Sequence, residues 1–201
     1  MEKFTSLAAV AAPLMRANID TDIIIPMESL LTVDRDDLGP HALKPLRYLR
    51  DGTPNPEFVL NRDGYREAKV LIAGANFGCG SSREVAVWAL WAAGIRVVIA
   101  SSFGDIFFNN CFKNGMLPIT LPQATVEELA AEAIPDAQFV IDLEACRVVS
   151  PTGRSTPFEI DSSSRRALLD GLDEIGMTLQ RQAEIGNFER HDRQRRPWVH
   201  L

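Results

Sequence analysis

The chain has 201 residues, of which 46% are hydrophobic and 24% charged, a composition typical of one globular domain with a sizeable buried core. The net charge of −6 argues against general binding to nucleic acid or to a membrane surface, because both favour basic protein faces. No apolar run approaches the ~20 residues of a membrane span, and no secretory signal is expected at the start. Three scattered cysteines do not make a disulfide framework, so we expect a cytoplasmic protein.

Short runs of branched apolar residues predict the β-strands. They occur at residues 23–25, 70–73, 95–100, 117–121, 139–143 and 147–149. Because these runs are apolar at nearly every position, they indicate strands that are buried on both faces of a sheet.

Helical segments alternate with several of these strands. Residues 84–93 are apolar on nearly every side and stop at Gly94, while residues 105–114 stop at Gly115. A third helix over residues 126–133 is predicted to start with a capping box formed by Thr125 and Glu128. The alternation predicts a single α/β domain over residues 1–201 with a partly parallel sheet.

Two regions depart from this pattern. Residues 34–64 hold four prolines and many charges without a sustained period, which is typical of a functional lid or a partner-binding loop. Residues 162–201 predict a helix, a turn around Gly176 and a last helix near 180–190. We expect these closing segments to serve in packing or assembly.

The most informative segment is Gly-Ala-Asn-Phe-Gly-Cys-Gly-Ser-Ser-Arg-Glu, residues 74–84, between a predicted strand and a predicted helix. Glycines let a ligand approach the backbone, and the N-terminus of the following helix favours an anion. Arg83 adds a planar group suited to a carboxylate, beside the hydroxyls of Ser81 and Ser82. The segment therefore predicts a small-anion site with a candidate catalytic hydroxyl.

Other loop types fit this segment poorly. It lacks the Gly-Lys-Ser/Thr of a phosphate-binding P-loop, the third glycine of a dinucleotide-binding loop and the Gly-x-Ser-x-Gly of a hydrolase elbow. A purely structural interpretation stays open, because Ser81 and Glu84 have the spacing of a capping box. In that case Ser81 would only cap the helix, contributing about 1 kcal/mol.

The loop at residues 74–84 resembles the signature of the swivelling domain of the aconitase superfamily. Two further segments resemble the other motifs of this domain. The first is Asn-Ile-Asp-Thr-Asp at 18–22 with Ile-Ile-Pro at 24–26, and the second is Ser-Phe-Gly-Asp-Ile-Phe at 102–107 running on to Gly-Met-Leu-Pro at 115–118. Residues 171–179 resemble the ending of bacterial 3-isopropylmalate dehydratase small subunits. The resemblance covers nearly the whole chain and implies an aconitase-like swivelling β/β/α domain.

The resemblance also implies an activity and site residues. The reaction is a dehydration and rehydration that converts 2-isopropylmalate to 3-isopropylmalate through 2-isopropylmaleate, in leucine biosynthesis. By motif position, Ser81 matches a serine alkoxide that removes the proton next to a carboxylate. Asp22 matches an acidic residue that supports the active-site hydrogen bonds. Ser82 and Arg83 match binders of the substrate carboxylate, and Gly80 is grouped with them as substrate-binding.

A partner and a cofactor follow from the same resemblance. The departing hydroxide needs a Lewis acid, which in this family is the open iron of a [4Fe-4S] cluster held by a separate large subunit. Cys79, Cys111 and Cys146 contain no C-x-x-C pair, so we expect this chain to bind no metal. The expected partners are that large subunit and a small hydroxy-dicarboxylate, with no nucleic acid and no membrane.

The choice of substrate rests on residues 29–32. In related enzymes this loop reads the side group of the substrate, and members that act on tricarboxylates resemble Tyr-Leu-Arg-Thr. Here Leu31 stands in place of the arginine, so Leu30 and Leu31 are predicted to accept an isopropyl group, unless both simply pack into the core. Val85 replaces the family's usual histidine. This leaves open a sister hydro-lyase acting on a methylmalate or dimethylmalate, or a stand-alone anion-binding module.

Overall fold

The computed structural model describes residues 1–30, 34 and 37–199. It contains a seven-stranded sheet in the order β4-β3-β2-β1-β5-β6-β7. The strands are β1 Ser6–Leu14, β2 Val70–Ala73, β3 Val97–Ala100, β4 Leu117–Thr120, β5 Gln138–Asp142, β6 Arg147–Val149 and β7 Ser155–Pro157. Strands β1 to β4 are parallel, whereas β5, β6 and β7 pair antiparallel. The predicted α/β class with a partly parallel sheet is confirmed.

Helices connect and cover the strands. They are α1 Thr21–Ile24, α2 Met27–Leu30, α3 Lys44–Arg47, α4 Glu84–Ala92, α5 Asp105–Lys113, α6 Gln123–Glu132, α7 Ser162–Asp170, α8 Glu174–Leu179 and α9 Gln182–Arg195. Short 3-10 turns occur at Gly39–His41, Val59–Asn61 and Pro197–Val199. Among the described residues, no helix is both long and apolar enough to cross a membrane.

The central strands are buried on both faces, and each face has its own apolar cluster. In β2, the fully buried Leu71 belongs to the cluster that includes Leu90 of α4. The neighbouring Ile72 points to the opposite cluster, which includes Leu129 of α6. Because successive side chains of a strand alternate between faces, burial on both sides requires the continuous apolar run seen in the sequence.

The sequence did not predict strands β1 and β7, and one strand that it did predict is wrong. The apolar run at residues 23–25 predicts a strand, but the chain forms helix α1 there. The side chain of Asp20 caps this helix, accepting a hydrogen bond from the backbone N–H of Ile23 at 2.8 Å. The missed strand β1 is rich in alanine, which has a weak preference for strands, and β7 is only three residues long.

The helix boundaries also correct two predictions. Helix α6 begins at Gln123 after Pro122, with no side-chain cap from the described residues, so the predicted capping box of Thr125 and Glu128 is wrong. The predicted turn at Gly176 is wrong as well. Helix α8 runs through Gly176, whose N–H donates to the Asp173 carboxylate at 2.7 Å, and the chain turns after residue 179 instead.

The segment predicted to be a lid, residues 34–64, is structured over its described part. It contains α3 and two 3-10 turns, and it contributes Leu43 and Leu60 to the core. The amide of Asn61 donates to the carbonyls of Arg47 at 2.7 Å and Asn55 at 2.8 Å, which ties the segment to itself. Residues 35 and 36 lie outside the described part. A role of the segment as a lid stays a prediction.

Candidate active site

Three loops meet at the carboxyl ends of β1, β2 and β3. Because these strands are parallel and adjacent, the loops that follow them leave the same edge of the sheet, the usual location of ligand sites in such sheets. Backbone bonds join them. The N–H of Gly78 donates to the carbonyl of Ile19 at 2.7 Å, and that of Thr21 donates to Cys79 at 2.9 Å. On the other side, the N–H of Gly104 donates to Phe77 at 2.9 Å.

Two asparagines that sequence analysis did not single out hold the loops together. Asn18 and Asn76 both have positive φ, +55° and +59°, a conformation that asparagine tolerates better than most residues. The amide of Asn76 donates to the side-chain oxygen of Asn18 at 2.8 Å, and its backbone N–H donates to the hydroxyl of Ser102 at 2.8 Å. The sequence indicates a role for these asparagines only in that both lie within the segments that resemble the family's motifs, 18–22 and 74–84.

The glycines of the central loop are required for two different reasons. Gly78 has φ +72°, and a Cβ atom there would lie 2.2 Å from Cγ of Phe107, so it is needed for both conformation and space. Gly80 has φ +92°, but a Cβ atom would meet its nearest neighbour, in Asp20, at an ordinary 3.5 Å. Gly80 is therefore a conformational requirement, and its predicted contact with substrate stays a prediction.

Ser81 does not cap helix α4. The helix begins at Glu84 with Arg83 at the cap position, and no side chain of the described residues bonds to that cap. The Glu84 carboxylate instead accepts a hydrogen bond from the amide of Asn114 at 2.8 Å. The capping-box interpretation of Ser81 and Glu84 is thus wrong, and the exposed Ser81 lies three residues before the first residue of the helix.

Arg83 is held by the acidic residue of the first motif. Its Nη1 donates to Oδ1 of Asp22 at 2.6 Å and to the carbonyl of Ile25 at 3.5 Å. The Arg83 side chain is only 14% exposed, whereas that of Asp22 is 60% exposed. A guanidinium has five N–H donors, so this pairing fixes its orientation and leaves donors for a second carboxylate.

The predicted site residues converge only in part within the described structure. The hydroxyl of Thr21 donates to the Ser81 carbonyl at 3.2 Å, so the loops that carry Asp22, Ser81 and Arg83 are in direct contact. Ser82 is exposed beside them. The side chain of Leu30 and all of Leu31 lie outside the described residues. Their predicted role in reading the substrate therefore stays a prediction.

Val85 stands at the position where the resemblance predicts a histidine, and it packs against the core. It is partly buried, in the first turn of α4, and packs against the apolar cluster on that face of the sheet. An imidazole in this position would offer a titratable polar group near Arg83, whereas valine offers only apolar surface.

The described residues do not provide ligands for a metal cluster. No group of three or more histidine, cysteine or acidic side chains in residues 1–30, 34 and 37–199 is arranged to hold a metal ion. Cys79 and Cys146 are partly exposed and far apart in sequence. Cys111 is fully buried near the sulfur of Met116, and burial raises the pKa of its thiol. Within the described part of the chain, these cysteines therefore do not offer the set of thiolates that a [4Fe-4S] cluster needs, and the expectation that this chain binds no metal stays a prediction.

Comparison with protein families first defines the class of domain. A model of the aconitase C-terminal domain matches residues 1–124, which include all three loops of the site. A model described as LeuD_N matches residues 127–162. A third model, for the C-terminal domain of the 3-isopropylmalate dehydratase small subunit, matches residues 174–200.

Individual relatives then define the family. The 3-isopropylmalate dehydratase small subunit of Cereibacter sphaeroides strain KD131 is 52% identical over 201 residues, covering 99% of this chain and 100% of the relative. That of Rhodospirillum centenum is 54% identical, with 99% of both chains covered. The crystal structure of 3-isopropylmalate dehydratase from Methanocaldococcus jannaschii matches with a TM-score of 0.68 and 28% identity, over 90% of this chain and 98% of that one. The chain belongs to the family of 3-isopropylmalate dehydratase small subunits.

Proposed function

We propose that this chain supplies the proton-abstracting and carboxylate-binding half of a 3-isopropylmalate dehydratase, which converts 2-isopropylmalate to 3-isopropylmalate in leucine biosynthesis. The observation that carries the proposal is the arrangement around α4. Ser81 is exposed and free of the capping role, and Arg83 beside it is oriented by Asp22 at 2.6 Å.

Ser81 acts as the base. A serine hydroxyl is far too weak an acid to lose its proton at neutral pH without help, so its alkoxide needs positive potential nearby. The N-terminus of α4, which begins three residues later, carries a partial positive charge, and the Arg83 guanidinium adds a charge that the Asp22 carboxylate offsets in part. The alkoxide takes the proton from the carbon next to a substrate carboxylate.

Arg83 and Ser82 bind that carboxylate, and Asp22 acts through Arg83. Because Nη1 of Arg83 is used by Asp22 and Ile25, the remaining donors of the guanidinium are presented in a fixed orientation. Ser81 and Arg83 lie in one turn, since the backbone N–H of Arg83 donates to the carbonyl of Ser81 at 2.9 Å, and Gly80 just before them has a φ of +92° that glycine adopts readily. A pre-oriented carboxylate clamp positions the carbon acid against the base.

The other half of the chemistry belongs to a separate large subunit. Such a partner would hold a [4Fe-4S] cluster, which would supply the Lewis acid that a departing hydroxide needs. Ser81 and Ser82 lie on an exposed surface, so a second protein must cover them to exclude water from the reaction. A cytoplasmic location and the lack of nucleic-acid or membrane partners remain predictions.

Reconstitution tests this division of roles. The purified chain should be colourless and inactive, and mixing it with the iron-loaded large subunit of a 3-isopropylmalate dehydratase should produce isomerase activity. Measured formation of 2-isopropylmaleate by the purified chain alone, without iron, would contradict the proposal. So would a lack of activity with the large subunit when binding between the two chains is demonstrated.

A second candidate, which Val85 in place of the expected histidine leaves open, is a sister hydro-lyase that acts on another alkyl-malate. A substrate panel of isopropylmalate, methylmalate and dimethylmalate distinguishes the two. Leu31→Arg tests the apolar loop itself, because an arginine there opposes an alkyl group and offers a partner to a third carboxylate. We expect Leu31→Arg to lose isopropylmalate activity, and full retention of activity would mean that residues 29–32 do not read the side group.

A further inference from the structure

The C-terminal segment exposes an unusual amount of apolar surface. Six of the thirteen exposed large hydrophobic side chains in the described part of the chain lie between residues 175 and 199. We call this set the C-terminal apolar surface: Ile175, Leu179, Ile185, Phe188, Trp198 and Val199. Phe188 and Trp198 are each 67% exposed, and Ile175 is 69% exposed. Ile185 and Phe188 line one groove, and contiguous apolar exposure marks interaction sites in soluble proteins, whereas singly exposed residues need no explanation.

Helix α8, which carries part of this surface, is tied to the body of the domain at both of its ends. Glu174, the first residue of α8, pairs with Lys113 at the end of α5 at 3.0 Å. Asp173 caps α8, and Arg166 of α7 bonds to Gln180 just beyond it at 3.5 Å. Between α8 and α9 runs an open groove of about 640 Å³, with Ile185 and Phe188 among its lining residues. An apolar groove of this size is suited to receive side chains of a partner surface.

Helix α5 connects this surface with the candidate active site. It begins after Gly104, whose N–H donates to the carbonyl of Phe77 in the loop that follows β2, and it ends at Lys113, which forms the ion pair with Glu174 of α8. Nine helical residues span about 13 Å. Because β3 and β4 are parallel, α5 runs from the carboxyl edge of the sheet toward its amino edge, so a protein that covers the exposed Ser81 must reach along about the length of α5 to meet α8.

The family comparisons indicate what kind of protein needs this surface. The aconitase C-terminal domain model ends at residue 124, and by its description that domain is part of a longer chain. Residues 174–200, beyond the end of that match, match a model of the C-terminal domain of the 3-isopropylmalate dehydratase small subunit. A domain joined by a linker meets its other half at a high effective concentration, but a separate subunit needs affinity of its own. The extra segment is where that affinity can be provided.

We propose that the C-terminal apolar surface is the docking surface for the large subunit, an inference that rests on the proposed function. The loops at the strand ends provide the chemistry, and α8 and α9 provide the binding energy. Phe188 and Trp198 are the aromatic anchors, and Arg181 and Glu184 form a polar rim at the groove.

The test measures binding and turnover separately. Leu179→Ser and Phe188→Ser remove exposed apolar groups from the surface, and Ile134→Ser removes a group of 57% exposure that follows α6, outside it. Each variant is titrated anaerobically against the immobilised large subunit of a 3-isopropylmalate dehydratase. We expect the two surface variants to raise Kd about tenfold or more, since truncated interface anchors have effects of this size. Ile134→Ser should stay within about twofold of wild type, and so should turnover of all variants at saturating large subunit.

The conservative change Phe188→Leu keeps most of the apolar area and should recover most of the binding. Unchanged Kd in the Leu179→Ser, Phe188→Ser double variant would overturn the proposal. It would also be overturned if that variant lost only self-association in sedimentation, because the surface would then serve a second copy of the chain. If wild type binds the large subunit with the expected dependence on this surface but no isomerase activity appears, the docking surface stands and the proposed function fails.

Discussion

The two halves of the sheet carry the same residue types, but these residues have different roles in each half. The parallel half, β1 to β4, carries Ser81, the Arg83–Asp22 pair and Gly78 in loops that leave its carboxyl edge. Around the antiparallel turn between β6 and β7, the chain again has a serine, an arginine and a positive-φ glycine, Ser150, Arg154 and Gly153. Residue type alone therefore does not define a site.

The difference lies in what surrounds each group. Ser150 is 4% exposed, and its hydroxyl lies 3.0 Å from that of Thr152. Arg154 pairs with Glu132 at 3.3 Å and with Glu128, so its donors serve neighbouring side chains. At the parallel edge, Ser81 is instead exposed. Polar groups that satisfy one another stabilise a fold, whereas oriented groups left open to solvent can bind a substrate.

The largest expected effect comes from the two serines. Ser81→Ala should lower turnover of the assembled enzyme by about a thousandfold or more, because it removes the base, and should change unfolding free energy by less than about 0.5 kcal/mol. Ser150→Ala should do the reverse, costing about 1 kcal/mol of stability with turnover unchanged. Steady-state kinetics and urea unfolding measure both. Substantial activity in Ser81→Ala would end the assignment of Ser81 as the base.

The sequence predicted the parallel strands β2, β3 and β4, because branched apolar runs leave few alternatives to a buried strand. It also pointed to residues 74–84 as a candidate site, because serine, arginine and glycine lie together in one turn, and that assignment stays a prediction. It could not predict the contact between Asp22 and Arg83, which are 61 positions apart, since that contact depends on β1 and β2 being neighbours. The alanine-rich β1 was missed for lack of a local signal. The strand expected at residues 23–25 was wrong because the Asp20 cap outweighs the β-preference of isoleucine.

The two arginines provide the next comparison. Arg83→Lys keeps the charge and can still pair with Asp22, but it loses the planar set of donors. We expect KM to rise about tenfold, because a hydrogen bond to a charged group contributes roughly 1.5–3 kcal/mol. Arg154→Lys, which alters only the network with Glu128 and Glu132, should leave KM unchanged. Equal KM values for wild type and Arg83→Lys would remove Arg83 from the carboxylate site.

The two glycines separate conformation from space. Gly153→Ala changes a residue at φ +87° that has nothing within 4 Å of an added Cβ, so it should cost about 1–2 kcal/mol of stability for the backbone alone. Gly78→Ala has a similar φ, but its Cβ would overlap the buried Phe107, which should add about 1–3 kcal/mol. Thermal unfolding of both variants measures the difference. Equal destabilisation would mean that Phe107 moves aside freely.

The smallest effect concerns the acidic residue of the antiparallel network. Hydrogen bonds from the side chains of Ser150 and Thr152 lower the pKa of Glu132. A carboxyl group whose folded pKa lies below its unfolded value of about 4.3 stabilises the protein above that value and loses this contribution as pH falls through the folded pKa. The unfolding free energy of wild type should therefore fall more steeply below about pH 4.3 than that of Glu132→Gln, which cannot titrate. Ser150→Ala removes the largest cause of the lowered pKa, so its unfolding free energy should also fall less steeply at acid pH than that of wild type.

In a double-mutant cycle, the coupling between Ser150 and Glu132 should be present at about pH 7 and smaller at about pH 3. A coupling that does not change with pH would show that Ser150 interacts equally with the neutral and the ionised carboxyl group, and the network would then be one of packing rather than charge.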